Sequence, residues 1–517
     1  MANFILTLLA ILPFILLFFF IIVRRWPAIK AMPITYLITL VILLFFWKIS
    51  FTLASASFLK GIFIALEIML IIFGAIFFLQ ILKEKKQIKN LQSTLSFISD
   101  DSRIQVIIIA FLFGALIEGI AGFGIPAVLA APLLVSLGFP ALLAVILALI
   151  ANSTPVSFGA AGLPILLGLG NLGFEREILL EITKNVALIH GIASFIIPLV
   201  LVFLVINYQN KKQKTKRFFE VMPFAIFAWL SFIIPYLLVA FYIGPELPSI
   251  IGGFTGLLIS SLAAHYKFLT PKNKIYFKKI NKKKITLKNS LKSISPYLII
   301  IILLSLSRII IPLKNNLTNI SFSWNNILNQ EISYNFLPLF TPSFYFFLSA
   351  IFCIFIFKAN KKEITNSFRE TYNKIKLPTI ALIFTLALVQ LLIISDLPLI
   401  IAQSLSNLSK EVFIFLSPFI GAFGSFIAGS NTVSNLLFAS FQIETAKTLG
   451  LSLITVLSLQ VVGGAIGNMI AIHNVLAASA TVGLKNQEGN IIRKTIWITL
   501  IYGLIAGIVG LFLINLT

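Results

Sequence analysis

Two copies of a small-residue motif interrupt the apolar runs of this chain, and they constrain its fold more than any other feature. GALIEGIAGFGIP begins at Gly114, and GAFGSFIAGSNTVSN begins at Gly421. Five pairs of identical residues, Gly122 and Gly429 among them, share one offset of 307 residues (421 − 114). Lipid does not tolerate exposed irregular backbone, so such breaks persist only where protein or a water-filled cavity surrounds them. Duplicated, broken segments of this kind are typical of secondary transporters.

The composition places the chain in a membrane. Of its 517 residues 59% are hydrophobic, and apolar runs near the ~20 residues that span a bilayer recur along it. The run at 4–23 is followed by Arg24 and Arg25 and has no basic segment before it, so we predict a retained span rather than a signal peptide. Cys353 is the single cysteine, which excludes disulfides and a cysteine-rich metal site. We predict an all-α, polytopic integral membrane protein with about twelve spans plus hairpins, and no metal or cofactor.

The net charge of +23 raises the question of a nucleic-acid partner, but the distribution of the lysines argues against one. They are concentrated in connectors between apolar runs, at 83–89, 211–217, 267–288 and 358–376. Basic connectors that flank spans stay on the cytoplasmic side, where they attract anionic lipid headgroups. The sequence has no basic fold with interleaved aromatic residues. We therefore expect membrane lipid, and no nucleic acid, among the partners.

Alternating the spans against the basic connectors gives the predicted topology. The connectors fall inside, both termini fall outside, and the chain enters the first motif from the inside and the second from the outside. Similar segments crossed in opposite directions are inverted-topology repeats. The predicted units are N-terminal peripheral spans at 1–60, a first inverted repeat at 61–208, connecting spans with basic cytoplasmic loops at 209–376, and a second inverted repeat at 377–517.

Each repeat is predicted to hold a helical hairpin followed by a discontinuous crossing helix, because glycine and proline interrupt the apolar runs. The first hairpin is expected at 104–138 with its broken crossing at 140–174, and the second at 412–448 with its crossing at 451–483. An amphipathic stripe before each hairpin predicts a helix in the membrane interface, with an ordinary amphipathic linker as the alternative. The stripes comprise Leu91, Leu95 and Ile98 before the first hairpin, and Ile401, Leu405 and Leu408 before the second.

The breaks supply the chemistry that a transport site needs. Half-helix N-termini present unpaired N–H groups and a positive dipole end, which together can hold the carboxylate of a small anion. Hydroxyl and amide side chains beside the breaks could complete the site. The alternative is that they cap broken helices or bond across helix contacts. The candidates are Asn152, Ser153, Thr154 and Ser157 in the first crossing, and Ser430, Asn431, Thr432, Ser434 and Asn435 in the second hairpin.

Ionisable residues at membrane depth are costly and usually functional. Glu118 stands inside the first hairpin, and Ser425 occupies the matching position in the second. We predict that Glu118 is the proton-coupling carboxylate. The alternative is a neutral carboxyl that hydrogen bonds hold for structural reasons. Glu67, in an earlier span, is a weaker candidate for the same role.

Further candidates lie near the second crossing and in the connecting spans. Histidine titrates near physiological pH, so His473 could relay a proton, or it could be a satisfied hydrogen-bonding group near a helix end. The neighbouring Asn474 is a candidate substrate ligand. Arg308 could pair with a substrate carboxylate, or its side chain could extend to the membrane interface. The sequence identifies no partner for His190.

Four long segments resemble one known family, the L-lactate permease family. They are GALIEGIAGFGIPAV, LIANSTPVSFGAAGLPI, SPFIGAFGSFIAGSNTVSNLLFASFQ and VGGAIGNMIAIHNVLAASATVG, and the resemblance covers the order of nearly the whole chain. It implies proton-linked symport of lactate, glycolate or a related small 2-hydroxy monocarboxylate across a bacterial-type plasma (inner) membrane. The departures are a background rich in Lys, Ile and Phe, and the long loop at 267–288.

Other classes of protein lack their sequence signals here. Neither HExxH nor GxSxG occurs, so no enzyme activity is predicted. A channel would call for a selectivity-filter or charged-ring pattern, which is missing. The main rival is a sodium-coupled carboxylate transporter, because Ser430-Asn431-Thr432 resembles the Ser-Asn-Thr signature of sodium/dicarboxylate symporters. Dimers are common among transporters with hairpin repeats, but the sequence shows no contact surface for a homodimer.

Overall fold

The structure is a computed structural model, and it is a bundle of α-helices joined by short loops. Eleven helices in the described part of the chain are long and apolar enough to cross a membrane, or up to 12 if one bent pair forms a single span. This confirms an all-α, polytopic membrane protein with about twelve spans. The described residues are 2–24, 26–88, 90, 98–122, 124–209, 213–277, 287–395, 397–404, 409–485 and 487–514.

The N-terminal part contributes three helices, and the third pairs with a helix from much later in the chain. They are Ala2–Phe18, which continues into a π-helical turn at Phe19–Val23, then Ala28–Phe45 and Phe51–Glu84. The helix Phe51–Glu84 packs along Lys361–Ile393, and Gly61 lies directly against the backbone of Ala387. Because Gly61 has no side chain, the two backbones approach closely, as at many helix contacts in membranes.

The first motif forms a hairpin of two helices, and an interrupted helix follows it. The first hairpin comprises Ser102–Ala121, which includes a π-helical stretch at Ile107–Phe113, and Ile125–Ser136. The first broken crossing comprises Ala141–Ala151, a 3₁₀ turn at Pro155–Phe158, and Gly159–Leu166. A second 3₁₀ turn, Gly170–Leu172, follows. The interruptions fall at glycine- and proline-containing segments, within the motif for the hairpin and after the motif for the crossing.

The second motif has the same order of elements. The second hairpin comprises Lys410–Ala428 and Asn431–Leu449, and the second broken crossing comprises Leu453–Gly467 and Ile472–Thr481. The helix Glu488–Ile514 follows. Shared element order is the structural counterpart of the repeated sequence motif, while the inverted orientation of the two copies and the domain boundaries stay predictions.

The amphipathic stripes before the hairpins are only partly described. Leu397–Ser404 is a short helix that includes Ile401, and Ile98 lies in a turn. The remaining stripe residues, Leu91, Leu95, Leu405 and Leu408, lie outside the described residues. Interfacial helices therefore stay a prediction at both positions.

Helices and one small β-hairpin lie between the two motifs. In addition to Lys361–Ile393 and Leu397–Ser404, the helices are Arg176–Ala193, Ile196–Tyr208, Lys214–Tyr242, Pro248–His265, Leu287–Ile309, Ile311–Thr318 and Pro342–Ile356. The strands Phe322–Trp324 and Tyr334–Phe336 pair in antiparallel fashion, with a 3₁₀ turn at Ile327–Asn329 between them. The hydroxyl of Tyr334 donates to Glu67 Oε2 at 2.9 Å, which ties this β-hairpin to the helix Phe51–Glu84. Nothing in the sequence pattern predicted the β-hairpin.

The first hairpin lies in the interior of the bundle. Every residue of Ser102–Ala121 is buried, whereas only 39% of the apolar window in Glu488–Ile514 is. Gly119 packs against Ile250, and Leu116 packs against Gly253, both on the helix Pro248–His265. A helix that is buried on every face is surrounded by protein rather than by lipid. Irregular backbone at the end of this helix is therefore shielded from the bilayer.

A buried ion pair holds the start of the first hairpin. The guanidinium of Arg103 donates to both carboxylate oxygens of Asp101, with Nη2 2.7 Å from Oδ2 and Nε 3.0 Å from Oδ1. It also donates to the backbone carbonyls of Arg217 and Asn273, at 2.7 and 2.6 Å. A buried charge is costly unless it is paired and hydrogen-bonded. The two carbonyl contacts therefore fix the first turn of the helix Lys214–Tyr242 and the loop around Asn273 to the hairpin.

Candidate functional site

One pocket lies where the two hairpins and the two broken crossings meet. The space between its lining residues, part of which is open to the surroundings, amounts to about 270 Å³. Its wall includes Glu118 and Gly122 from the first hairpin, Gly159 from the first crossing, Asn431 from the second hairpin and Asn468 from the second crossing. Four irregular segments that are distant in the sequence thus share one cavity.

Glycines in the left-handed region shape the tips of both hairpins. The φ angles are 60° at Gly122 and 73° at Gly124 in the first tip, and 72° at Gly429 in the second. Residues with a Cβ atom seldom adopt these angles, so glycine permits the chain to reverse at the pocket. Gly122 and Gly429 both line the pocket.

The second hairpin presents a helix N-terminus to the pocket. The helix Asn431–Leu449 begins after Ser430, whose hydroxyl accepts a hydrogen bond from the Val433 N–H at 3.5 Å. The N–H groups of Asn431 and Thr432 belong to the first turn and have no acceptor within the helix. Ser430, Asn431 and Thr432 all line the pocket. These N–H groups and the positive dipole end suit an anion.

The carboxyl group of Glu118 belongs to the part of the pocket wall that adjoins the first crossing. Glu118 is 2% exposed, and its Oε2 accepts a hydrogen bond from Asn152 Nδ2 at 3.0 Å. The other oxygen faces Gly159, where an added Cβ atom would stand 2.5 Å from Oε1. The structure thus brings together two residues that the sequence identified as separate candidates.

The first crossing is broken by a left-handed turn next to Glu118. The φ angles are 43° at Ala160, 55° at Ala161 and 80° at Gly162. A left-handed conformation costs a residue with a side chain of the order of 1–3 kcal/mol and persists only where the surrounding structure enforces it. Strained backbone of this kind is concentrated at ligand sites. Ala160 lines the pocket, in agreement with such a role for the turn.

Asn431 connects the second hairpin to both crossings. Its Nδ2 donates to the backbone carbonyl of Val461 at 3.0 Å, and the same carbonyl lies 3.4 Å from Ser157 Oγ. Its Oδ1 lies against Gly464 and has no hydrogen-bond partner. The hydroxyl of Ser425, also near Gly464, is buried and unpaired too. Of these two residues only Asn431 lines the pocket, and an unsatisfied buried oxygen of a lining residue marks a place where a ligand can bind.

Comparison with known proteins identifies the family of this membrane-embedded arrangement. A family model described as L-lactate permease matches residues 6–517. The chain belongs to the L-lactate permease family. Members of this family are permeases, so the expectation that the chain is not an enzyme is confirmed.

Two relatives and one solved structure are similar to this family member. It is 34% identical over 535 residues to a "Putative L-lactate permease" of Haemophilus influenzae, with 98% of both chains covered. It is 30% identical over 547 residues to the glycolate permease GlcA of Escherichia coli, with 98% of this chain and 95% of that one covered. The structure of the YdaH transporter of Alcanivorax borkumensis covers 85% of this chain and 84% of its own, with 14% identity and a TM-score of 0.42.

A second buried cluster joins the first crossing of this family member to its last helix. The imidazole of fully buried His190 lies between two hydroxyls, with Nε2 2.7 Å from Ser157 Oγ and Nδ1 2.6 Å from Tyr502 Oη. Thr154 Oγ1 lies 3.5 Å from the same Tyr502 hydroxyl. Sequence reasoning found no partner for His190 because Ser157 is 33 and Tyr502 is 312 positions away. Ser157 and Thr154 contact protein groups here and are not among the lining residues of the pocket.

Ser434 and Asn435 lie in a ladder of amides between the second hairpin and the second crossing. Gln460 Nε2 is 3.1 Å from Ser434 Oγ and 3.4 Å from Asn435 Oδ1. Asn435 Nδ2 donates to the Pro164 carbonyl at 2.9 Å, and Gln442 Nε2 donates to Gln460 Oε1 at 3.0 Å. Bonds across helix contacts were the alternative for these residues, and the structure places both of them there rather than in the pocket wall.

Asn474 and His473 lie beside the hairpin tips. Asn474 Nδ2 donates to Oδ1 of the pocket residue Asn468 at 3.0 Å, and the Asn474 Oδ1 lies against Gly124. His473 is exposed at the start of Ile472–Thr481, and its ring lies next to Gly429. Both residues therefore contact the tip of a hairpin, although neither is among the lining residues.

The remaining candidates lie elsewhere. Ser153 donates to the backbone carbonyl of Ile150 at 2.9 Å, within its own helix end. Glu67 is bonded to Tyr334, apart from the pocket wall. Arg308 belongs to the helix Leu287–Ile309, but its side chain lies outside the described residues. Their predicted roles stay predictions.

Proposed function

We propose that this chain moves L-lactate, and related 2-hydroxy monocarboxylates such as glycolate, across a bacterial-type plasma (inner) membrane by proton symport with alternating access. The observation that carries the proposal is the pocket, in which a helix N-terminus and the buried carboxyl of Glu118 share one wall. The printed names of the relatives, L-lactate and glycolate permeases, support this class of substrate.

The substrate carboxylate binds at the N-terminus of the helix Asn431–Leu449 in this proposal. The N–H groups of Asn431 and Thr432 can each donate to a carboxylate oxygen, and the helix dipole favours negative charge at this end. Neither lysine nor arginine is among the described residues that line the pocket. The backbone is therefore the main source of donors for the anion, with Arg308 as a further candidate.

Glu118 carries the coupling proton in this proposal. An ionised carboxyl that is buried without a cation disfavours a second negative charge in the same pocket, because the low dielectric strengthens their repulsion. Protonation of Glu118 removes that repulsion, so proton binding and monocarboxylate binding assist each other. His473 is proposed to relay the proton, since it lies beside the tip glycine Gly429.

Two motifs with the same order of elements support an alternating-access mechanism. If the copies are inverted repeats, an exchange of their conformations opens the central pocket first to one side and then to the other. The basic connectors assign the cytoplasmic side, and both termini are then outside. The repeat relation and this orientation belong to the proposal.

A sodium-coupled carboxylate transporter is the second candidate function, and unpaired oxygen atoms favour it. Asn152 Oδ1, Asn431 Oδ1 and Ser425 Oγ are buried and have no hydrogen-bond partner. Uncharged oxygen atoms at broken helices are the ligands that secondary transporters use for sodium ions. Proton and sodium coupling make opposite predictions for one experiment.

The experiment is lactate uptake into proteoliposomes under an imposed pH gradient, with and without sodium. We expect uphill accumulation that follows the proton gradient and is unchanged when sodium is replaced by another cation. Accumulation that requires sodium and ignores pH would assign the second candidate. Equilibration without accumulation would indicate a passive pore, and no lactate uptake under either gradient would refute both transport proposals.

A further inference from the structure

The orientation of the Asn431 amide in the pocket wall is fixed by its neighbours. Its Nδ2 donates to the Val461 carbonyl at 3.0 Å, and a carbonyl oxygen can only accept. Exchanging the amide nitrogen and oxygen would set two acceptors against each other, so Oδ1 must be on the other side, against Gly464. Asn431 is 2% exposed, and this oxygen has no hydrogen-bond partner.

An unpaired buried acceptor favours a ligand that can donate a hydrogen bond to it. Asn431 combines this acceptor with a free backbone N–H, so a single residue offers one donor and one acceptor to the pocket. A 2-hydroxy carboxylate has the complementary pair on adjacent carbon atoms, because its carboxylate accepts and its hydroxyl donates. We propose that Asn431 Oδ1 accepts the hydrogen bond of the substrate's 2-hydroxyl group and thereby selects 2-hydroxy acids over other small monocarboxylates.

Ser425 carries a second unpaired oxygen close to Asn431, but it is not among the residues that line the pocket. Its Oγ lies near Gly464, as Asn431 Oδ1 does, and it is fully buried without a partner. Asn431 does line the pocket, so the hydrogen bond of the substrate hydroxyl is assigned to Asn431 and not to Ser425. By contrast, the oxygen of Asn435 is already within reach of Gln460, at 3.4 Å, and its nitrogen donates to Pro164.

This inference rests on the proposed transport of 2-hydroxy monocarboxylates. Competition assays on the unaltered protein distinguish a failure of this inference from a failure of the transport proposal. Unlabelled L-lactate, 2-fluoropropionate and propionate are compared as inhibitors of radiolabelled lactate uptake in proteoliposomes. 2-Fluoropropionate is close to lactate in size and charge, but its fluorine cannot donate. We expect it to compete at least about tenfold more weakly than lactate, because it leaves the acceptor unpaired. Equal competition overturns the hydroxyl assignment alone, whereas absence of lactate uptake overturns the transport proposal and this inference with it.

Two variants test the assignment at the residue. Asn431→Ala removes the amide and keeps the backbone N–H, so lactate should lose its advantage and compete within about twofold of 2-fluoropropionate. Gly464→Ala places a Cβ atom at the position of Asn431 Oδ1 and should reduce the preference in the same way. The matched control is Asn435→Ala, one turn along the same helix, which should change competition by both compounds equally. The inference is overturned if folded Asn431→Ala still prefers lactate to 2-fluoropropionate, or if Asn435→Ala abolishes that preference. If the variants do not fold, the competition assay on the unaltered protein decides.

Discussion

Glu118 and Asn152 are joined by a hydrogen bond of 3.0 Å, from Asn152 Nδ2 to Glu118 Oε2, which links the first hairpin to the break of the crossing that follows it. The matching residue in the second motif is Ser425, whose hydroxyl is buried and unpaired. The two motifs share their order of elements, but among the described lining residues only Glu118 is ionisable. This difference is the reason that we propose Glu118 as the group through which a proton gradient acts on the pocket.

Replacing Glu118 with glutamine should separate coupling from substrate binding. Glu118→Gln retains an acceptor for Asn152 and the volume of the side chain, but it cannot bind and release a proton. We expect proton-driven lactate uptake to be abolished, while exchange of internal for external lactate continues, because exchange needs no net proton transfer. The measurements are initial uptake under a pH gradient and counterflow in the same proteoliposomes.

A second carboxyl provides the matched control for this prediction. Glu67 is partly buried and is hydrogen-bonded to Tyr334, but it does not line the pocket. Glu67→Gln should therefore leave proton-driven uptake in place. Equal loss of uptake and counterflow in Glu118→Gln would show that Glu118 is structural. Loss of proton-driven uptake in Glu67→Gln would assign the coupling role to Glu67.

The close approach of Glu118 to Gly159 predicts a strong effect of one added methyl group. In Gly159→Ala the new Cβ atom would stand 2.5 Å from Glu118 Oε1, so the carboxyl must move and its bond with Asn152 is disturbed. We expect initial lactate uptake to fall by about tenfold or more, since small displacements at a site are costly. Gly489→Ala is the control, because nothing lies within 4 Å of its added Cβ atom. Uptake at an unchanged rate in Gly159→Ala would show that the Glu118 carboxyl is free to shift.

The positions of the helix breaks could be predicted from the sequence because glycine and proline act locally on the backbone. The first hairpin turns at Gly122 and Gly124, and the second at Gly429, within the motifs that first indicated a transporter. The β-hairpin at Phe322–Trp324 and Tyr334–Phe336 was missed, because strands of three residues carry too little periodicity to be recognised.

The composition of the pocket could be predicted only in part. Glu118 and Asn431 were identified because charged and amide residues are rare at membrane depth. Which candidates line the pocket could not be predicted, because a helix has several faces and one sequence does not show which face meets which neighbour. Gln460 illustrates the limit: it bonds to Ser434 and Asn435 across a helix contact, and nothing near it in the sequence distinguishes it from a polar residue on a surface.

The contact between His190 and Tyr502 predicts a loss of stability on removal of one hydroxyl. If Ser157 donates to Val461, a neutral imidazole donates from Nε2 to Ser157 and accepts at Nδ1 from Tyr502. Tyr502→Phe then leaves a buried acceptor unpaired, which costs about 1–3 kcal/mol. We expect a lower melting temperature in detergent by thermal denaturation. The control is Tyr242→Phe, at a residue that is 83% exposed, which should leave the melting temperature unchanged. If Tyr242→Phe lowers the melting temperature as much as Tyr502→Phe does, the assay does not measure the contact with His190.

The ion pair of Arg103 with Asp101 predicts the largest loss of stability. Both side chains are buried, and Arg103 also holds the carbonyls of Arg217 and Asn273. Arg103→Met would leave Asp101 charged, buried and without its partner, which costs about 3–5 kcal/mol. The exposed pair Lys447 and Glu444 is the control, since Lys447→Met should cost less than about 1 kcal/mol. Thermal denaturation of both variants in the same detergent checks that Arg103→Met lowers the melting temperature more than Lys447→Met does. Equal melting temperatures would show that the start of the helix Lys214–Tyr242 and the loop around Asn273 are held by other contacts.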